Sequence, residues 1–294
     1  MAARATAPEQ RVWTVMDVIR ASGEYLDGKG LEHGRLDAEH LLAHVLGLGR
    51  LHLYLDFDRP LTPAERGRFK PLLRRRAARE PLQYILGTAP FRDLVLNVDR
   101  RVAIPRPETE YLIDVLLRAA GEDRVFASAL DVGTGSGAIA LALAAEGLAR
   151  TVTATDLSAP ALAAARNNAA AAGVTTIDFV KGPLLEPVAG RTFDLVLSNP
   201  PYLSEEEWRS AQPEVRMWEP RMAMVGGADG LEVVRGLVCG LGAVLRPGGW
   251  VGLELGNSQA EAVVRVLEAL PGMGSVRAHD DLTGRPRYVV ARKH

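Results

Sequence analysis

The tetrapeptide Asn199-Pro200-Pro201-Tyr202 brings together a side-chain amide, two prolines that offer carbonyl oxygens but no N–H, and a phenol ring. That set suits gripping a planar nitrogen, such as a glutamine side-chain amide or the amino group of adenine. The lone pair of such a nitrogen is delocalised, so it is a poor nucleophile. The Asn199 side-chain oxygen and the Pro200 carbonyl can each accept one of its N–H groups. Holding both hydrogens aims the nitrogen at an electrophile, which is positioning rather than base catalysis. Tyr202 can stack on the planar group. Read alone, the same residues also fit a rigid turn, because Asn-Pro and Pro-Pro are turn dipeptides.

A second group of residues supplies the electrophile. The run Ala129 to Val132 reads as a strand, Gly133-Thr134-Gly135-Ser136-Gly137 as a glycine-rich turn, and Ala138 to Ala144 as a helix. Glycines there let a backbone approach a ligand closely. The pattern is Gly-x-Gly-x-Gly rather than the dinucleotide fingerprint. No Lys-Ser or Lys-Thr pair follows it, which argues against a nucleoside triphosphate. The next strand, Thr151 to Asp156, ends in a carboxylate placed to accept ribose hydroxyls. The apolar run Phe193 to Ser198 reads as a buried parallel strand that carries Asn199 just past its carboxyl end, where open α/β sheets bind ligands. Residue chemistry alone reaches methyl transfer to a planar nitrogen.

With these motifs, the chain resembles the bacterial release factor glutamine N5-methyltransferases, within the Asn-Pro-Pro-Tyr class of S-adenosylmethionine-dependent enzymes. The markers run over nearly its whole length: Asp37 to Gly47, Glu80 to Gly87, Ile104 to Glu110, the glycine turn, Asn199 to Tyr202, Pro213 to Arg216, Glu219 to Arg221 and Arg246 to Gly249. The resemblance implies a Rossmann-like class I methyltransferase sheet with helices on both faces. It also implies methyl transfer from S-adenosyl-L-methionine to the glutamine of the Gly-Gly-Gln motif in class I release factors, with S-adenosyl-L-homocysteine as product. Carried over, Gly133, Thr134, Gly135, Ser136 and Gly137 would wrap the methionine part of the cofactor, and Asp156 would hold the ribose. Asn199 would face both cofactor and substrate, with Pro200, Pro201 and Tyr202 forming the glutamine pocket. The family usually has Asp and then an aromatic residue after the strand Asp178 to Lys181. This chain has Pro183 and Leu184, so Leu184 is left to pack on adenine. A smaller departure is Arg92-Asp93, where the family often has an aromatic residue and Gly.

The elements that must position these groups are an α/β domain preceded by helices. Residues 1–86 read as a helical substrate-docking domain, 87–106 as a β-hairpin connector and 107–294 as the methyltransferase domain. Thr62-Pro63-Ala64-Glu65 carries an N-cap, a Pro at the first helical position and Glu at the third. From Pro107 onward strands and helices alternate, which predicts a mostly parallel sheet covered on both faces. Hydrophobic residues make up 47% of 294, enough for sizeable cores in two domains. Met1 to Gln10 has no apolar core of a signal peptide, and no run approaches a membrane span. A cytoplasmic enzyme follows as the expectation.

Other features read more plainly. Cys239 is the single cysteine, so no disulfide forms within the chain; it is expected as a small buried hydrophobe. His40, His44 and His52 read as packed or solvent-edge side chains, with no metal, because no acidic or Cys partner has matching spacing. Arg74-Arg75-Arg76 with Arg79 reads as a solvated helix face, with partner docking as the alternative. Glu108 and Glu110 suit a helix N-terminus, and Glu205 to Trp208 a helix start. A net charge of −1 without a basic block disfavours a duplex nucleic acid substrate. The competing functions are a ribosomal protein glutamine methyltransferase, an adenine N6-methyltransferase and a non-catalytic adaptor. The Ile104 to Glu110 motif, the helical first domain and the intact Asp156, Asn199 and Tyr202 argue against each in turn.

Overall fold

Thr62 begins its helix as its sequence predicts. Its hydroxyl accepts from the Glu65 N–H while the Glu65 carboxylate accepts from the Thr62 N–H. Thr14 and Asp17 make the same reciprocal cap. In this computed structural model, which describes residues 12–294, these two helices belong to a unit of five: α1 (Val15–Asp27), α2 (Gly34–Leu46), α3 (Arg50–Leu55), α4 (Pro63–Ala77) and α5 (Leu82–Leu86). Met1 to Gln10 lies outside the described residues. Val15, Ile19, Leu41, Leu42, Leu53 and Phe69 form the core of this unit. The arginine run is only partly a solvated face, which corrects that reading. Arg76 is bonded to Asp37 at 2.6 Å with little exposure of either side chain, and Arg75 holds Glu80 at 2.7 Å.

Residues 87–294 form a second compact unit. It opens with a hairpin, β1 (Thr88–Phe91) and β2 (Leu94–Asn97), followed by α6 (Pro107–Ala120). Strands and helices then alternate: β3 (Phe126–Val132), α7 (Ala138–Ala145), β4 (Ala149–Asp156), α8 (Ala159–Ala171), β5 (Ile177–Lys181) and β6 (Phe193–Ser198). Two short helices, α9 (Glu205–Ser210) and α10 (Pro213–Trp218), precede α11 (Glu232–Val244), β7 (Leu245–Glu254), α12 (Ala260–Glu268), β8 (Met273–Asp280) and β9 (Pro286–Lys293). The seven strands lie in the order β5-β4-β3-β6-β7-β9-β8. β3 to β7 pair in parallel with one another, and β9 is antiparallel to both β7 and β8. One face of the sheet packs on α6, α7 and the hairpin, the other on α11 and α12. Strand order reverses between β3 and β6, the place where doubly wound sheets open a crevice for ligands. Among the described residues no helix is long and apolar enough to cross a membrane.

Two local findings differ from the sequence reading or explain it. Cys239 is exposed, not buried. α11 buries Val234, Leu237, Val238 and Leu241, and residue 239 falls just off that stripe. Arg92, at the hairpin turn where an aromatic residue was the family pattern, anchors the turn to two helices. It is bonded to Asp114 at 2.8 Å and to the Glu146 carboxylate, and these partners raise its pKa.

The hairpin is also tied to the glycine turn through a buried amide. The Asn168 oxygen accepts from the Asn97 backbone and side-chain N–H groups at 2.8 and 3.1 Å. Its nitrogen donates to the Asn97 and Ser136 carbonyls at 3.0 and 2.9 Å. Asn168→Ala leaves several buried partners unpaired and should destabilise the chain by about 2–4 kcal/mol. Urea unfolding should show a lower midpoint at unchanged slope.

Candidate active site

The sheet register brings the chemistry together. Asp131 pairs with Ala154 on one side and Leu197 on the other. Two positions further along each strand stand Gly133, Asp156 and Asn199. The same row extends outward, since Asp156 pairs with Lys181, Ser198 with Leu253 and Glu254 with Tyr288. One row at the carboxyl edge therefore carries the glycine turn, the acid and the amide.

Burial and hydrogen bonding shape the turn. Gly133 and Thr134 N–H both donate to the Thr155 carbonyl at 2.9 Å. Gly135 has φ +56°, in the region that favours glycine, and its N–H donates to Asp156 Oδ2 at 2.9 Å. The other Asp156 oxygen accepts from the Ser158 N–H at 2.8 Å. Burial raises the Asp156 pKa, opposed by these two N–H groups. Beneath the turn, the fully buried Asp131 accepts from the Thr134 hydroxyl at 2.6 Å and the Ala140 N–H at 3.1 Å. Burial pushes its carboxyl up to about 7.

A cavity of about 530 Å³ opens over this row, within the roughly 300–1,000 Å³ typical of small-molecule sites. Gly133, Gly135, Asp156, Leu184, Asn199, Pro201 and Tyr202 line it, as does Pro183. Thr134, Ser136 and Gly137 do not. Thr134 and Ser136 are buried and hold the turn from behind, and Gly137 precedes α7. Pro200 is buried beneath its neighbours and is not a wall residue. Gly133 and Gly135 leave open space where a Cβ would stand. Bare backbone beside a carboxylate that still has free lone pairs fits the methionine and ribose portions of an S-adenosylmethionine-like group.

Arg101 to Ile104 and Arg106 also line the cavity, fastened by a residue that the sequence reading quoted only as part of a family marker. Buried Glu219 accepts from the Ile104 N–H at 2.9 Å and pairs with the Arg106 guanidinium. Beside it, the Arg100 guanidinium stacks 4.0 Å from the Trp218 ring. Tyr202 is largely buried, and its phenol is pushed up to about 12 by burial and by Glu254. It therefore stays neutral near pH 7.

The Asn-Pro-Pro-Tyr segment is clamped from outside the motif. Gln259 Nε2 donates to the Tyr202 carbonyl at 2.8 Å, the Gly226 N–H donates to the Leu203 carbonyl at 2.9 Å, and the Leu203 N–H donates to the Met224 carbonyl at 2.9 Å. A Cβ on Gly226 would stand 2.3 Å from the Pro201 carbonyl oxygen, and one on Gly230 the same distance from that of Tyr202. The signal was a pair of glycines about 25 residues past the motif; nothing local linked them to it. Gly226→Ala should displace Pro201 and lower turnover on the order of 100-fold. Calorimetry should find the affinity for S-adenosylhomocysteine little changed.

Comparison with known proteins agrees with this geometry. The family described as PrmC N-terminal domain matches residues 17–87, and the Methyltransferase small domain family matches residues 108–214. A release factor glutamine methyltransferase of Geobacter sulfurreducens is 44% identical over 253 residues, covering 86% of this chain and 88% of that protein. One from Cereibacter sphaeroides is 42% identical over 277 residues, covering 94% and 97%. A methyltransferase crystal structure from Pyrococcus furiosus shares the fold, with a TM-score of 0.51 at 22% identity over 68% of this chain and 88% of that one. With relatives this similar along nearly their entire length, the chain belongs to the release factor glutamine methyltransferase family.

Proposed function

We propose that this protein methylates the side-chain amide nitrogen, N5, of the glutamine in the Gly-Gly-Gln motif of class I release factors, using S-adenosyl-L-methionine in the cytoplasm. The observation that carries this reading is the row in which Gly133, Asp156 and Asn199 face one cavity. Gly133 and Gly135 would hold the methionine portion of the cofactor, Asp156 the ribose, and Leu184 with Pro183 the adenine face. Thr134, Ser136 and Gly137 would act by fixing the turn. When bound, S-adenosyl-L-methionine supplies a methyl carbon on a cationic sulfur and leaves as S-adenosyl-L-homocysteine. No metal is required, since the leaving group is already activated.

The residues of the chain then do the positioning. Asn199 Oδ1 accepts an N–H group of the glutamine amide, and Pro201 and Tyr202 pack on its plane; Pro200, buried behind them, would act by holding these neighbours in place. The amide becomes strongly acidic once methylated and releases its proton to water, so no base is needed. The helical first unit is assigned to docking the protein substrate. A specific interface buries on the order of 1,200–2,000 Å², far more than one side chain in a pocket. In the first unit Leu51 and Leu55 are 72% and 69% exposed, with Phe57 also exposed.

Asn199→Ala should lower kcat by at least about 100-fold, from loss of positioning, while cofactor affinity changes little. Asp156→Ala should do the reverse to binding. Losing one charge-assisted bond costs about 1.5–3 kcal/mol, or roughly 10- to 150-fold in Kd. Calorimetry with S-adenosylmethionine and single-turnover transfer of labelled methyl separate the two. Unchanged cofactor affinity in the Asp156 variant would exclude its ribose role. A release factor whose Gly-Gly-Gln glutamine is replaced should accept no label.

Docking has its own test. Leu51→Asp combined with Leu55→Asp changes only exposed positions, so stability should move by no more than about 1 kcal/mol in all. Methylation of an intact release factor should slow about tenfold, roughly the weight of one interface anchor. The rate on a short Gly-Gly-Gln peptide should stay the same. Equal loss on both substrates would remove the docking assignment.

A further inference from the structure

Asn199 can serve as an acceptor only if its amide oxygen, and not its nitrogen, faces the substrate. An isolated asparagine has no reason to choose, because the two ends are nearly identical in shape. Behind Asn199 lies a polar chain that the proposed chemistry does not use. The Asn199 Nδ2 donates to Thr109 Oγ1 at 2.9 Å, and the Thr109 hydroxyl donates to Glu254 Oε2 at 2.7 Å. Thr109 is 5% exposed and Glu254 1%.

We propose that Thr109 and Glu254 are positioning residues that set the orientation of the Asn199 amide, and thereby the aim of the substrate nitrogen. This rests on the reading of Asn199 as the amide acceptor given above. A hydroxyl has one proton. Once that proton is committed to an ionised carboxylate, Thr109 can meet Asn199 only as an acceptor. The NH₂ end of Asn199 must then point inward, which turns Oδ1 to the cavity. Reversing the amide would set two oxygens against each other in a buried site. The relay therefore has a direction, and Glu254 supplies it.

Backbone geometry places the three groups independently of one another. Asn199 and Glu254 stand in the same sheet row on neighbouring strands. Thr109 reaches them from the first turn of α6, where Pro107 starts the helix and the Thr109 N–H bonds to the Arg106 carbonyl at 3.0 Å. That turn is pinned to β9 by the buried Tyr288, whose hydroxyl donates to the Glu108 carbonyl at 2.8 Å.

The charge on Glu254 is the vulnerable point. Arg106 and Glu108 face it from the start of α6, Arg287 and Tyr288 from β9, and Tyr202 from the loop after β6. Burial pushes its carboxyl up to about 7; the Thr109 bond, Arg287 and Arg106 oppose that, and Glu108 adds to it. Below that pH a protonated Glu254 can donate to Thr109, which frees the hydroxyl proton to point at Asn199 and removes the bias. Correct aim is thus present above about pH 7 and lost as pH falls through it.

The test compares wild type with Glu254→Gln, Thr109→Val and Thr109→Ser. In wild type, kcat for methylation of a release factor should fall about tenfold for each pH unit below 7, with the KM for S-adenosylmethionine unchanged. Glu254→Gln keeps a carbonyl acceptor for the Thr109 hydroxyl at every pH, so its acid limb should vanish. Thr109→Val should lower kcat 10- to 100-fold, and Thr109→Ser should restore most of it. A second measurement is independent of turnover. By NMR at pH 8, one side-chain amide proton of Asn199 should exchange slowly in wild type and rapidly in Thr109→Val. An acid limb that persists in Glu254→Gln, or equal exchange in the two proteins, overturns the relay. Folding of each variant is checked by its unfolding midpoint, and Thr109→Ala, which also lacks the hydroxyl, takes the place of Val in the NMR comparison if Val is unstable. Failure of wild type to methylate any release factor would instead overturn the functional reading, leaving the exchange result to decide the relay.

Discussion

The site depends on one constraint, the register of a parallel sheet at its carboxyl edge. Hydrogen-bonded rungs place Asp131 between Ala154 and Leu197. Everything two residues later follows without further choice: the turn at Gly133, the carboxylate of Asp156 and the amide of Asn199. A slip of one residue in any strand would turn its chain to the opposite face and bury the group. Parallel strands buried on both faces resist such slips, because their apolar side chains fill two cores at once. Leu130 and Val196 serve one core while Ala129, Leu195 and Leu197 serve the other. The chemistry is carried by the edge, and the two cores fix where the edge falls.

That edge is also where the sheet becomes polar inside. Asp131, Asp156 and Glu254 all have carboxyl groups pushed upward by burial. Burying a carboxylate is costly unless hydrogen bonds compensate it. Each has a different set of partners: a hydroxyl and a helix N–H for Asp131, two turn N–H groups for Asp156, and a single hydroxyl for Glu254. The partners also separate their tasks. Asp131 braces the turn from below, Asp156 bridges the turn to the start of α8 and still faces the cavity, and Glu254 acts through Thr109. Perturbed acids gathered in one cleft are a common mark of function, and here the geometry gives each a distinct place.

The cavity needs walls as well as a floor. Glu219 fastens residues 104–106 to the end of α10, and Gly226, Gly230 and Gln259 clamp the backbone of the Asn-Pro-Pro-Tyr segment. These residues touch no proposed reacting atom. They act by leaving the motif few alternative conformations, and closely placed groups need that restriction more than they need added binding. Clamps of this kind tolerate little change, since a methyl group at Gly226 meets backbone rather than a side chain that can move aside.

The sequence determined what is local. Strand patterns, the glycine turn, the Thr62 cap and the order of motifs are set by neighbours within a few residues, where backbone and side-chain preferences act directly. It therefore placed Asp156 at a strand end, Asn199 just past one and Gly135 in the turn after another, and named the fold class. It misjudged Cys239, because one position of helix phase decides between core and solvent. It did not see that Arg92 anchors a hairpin, that Arg75 and Arg76 of the arginine run are ion-paired, or that Thr109 and Glu254, 145 residues apart, are hydrogen-bonded. Those outcomes depend on which distant segments the sheet brings together. Only the tertiary structure decided them, because hydrogen-bond partners across long separations are chosen by register and packing, and a linear pattern carries neither.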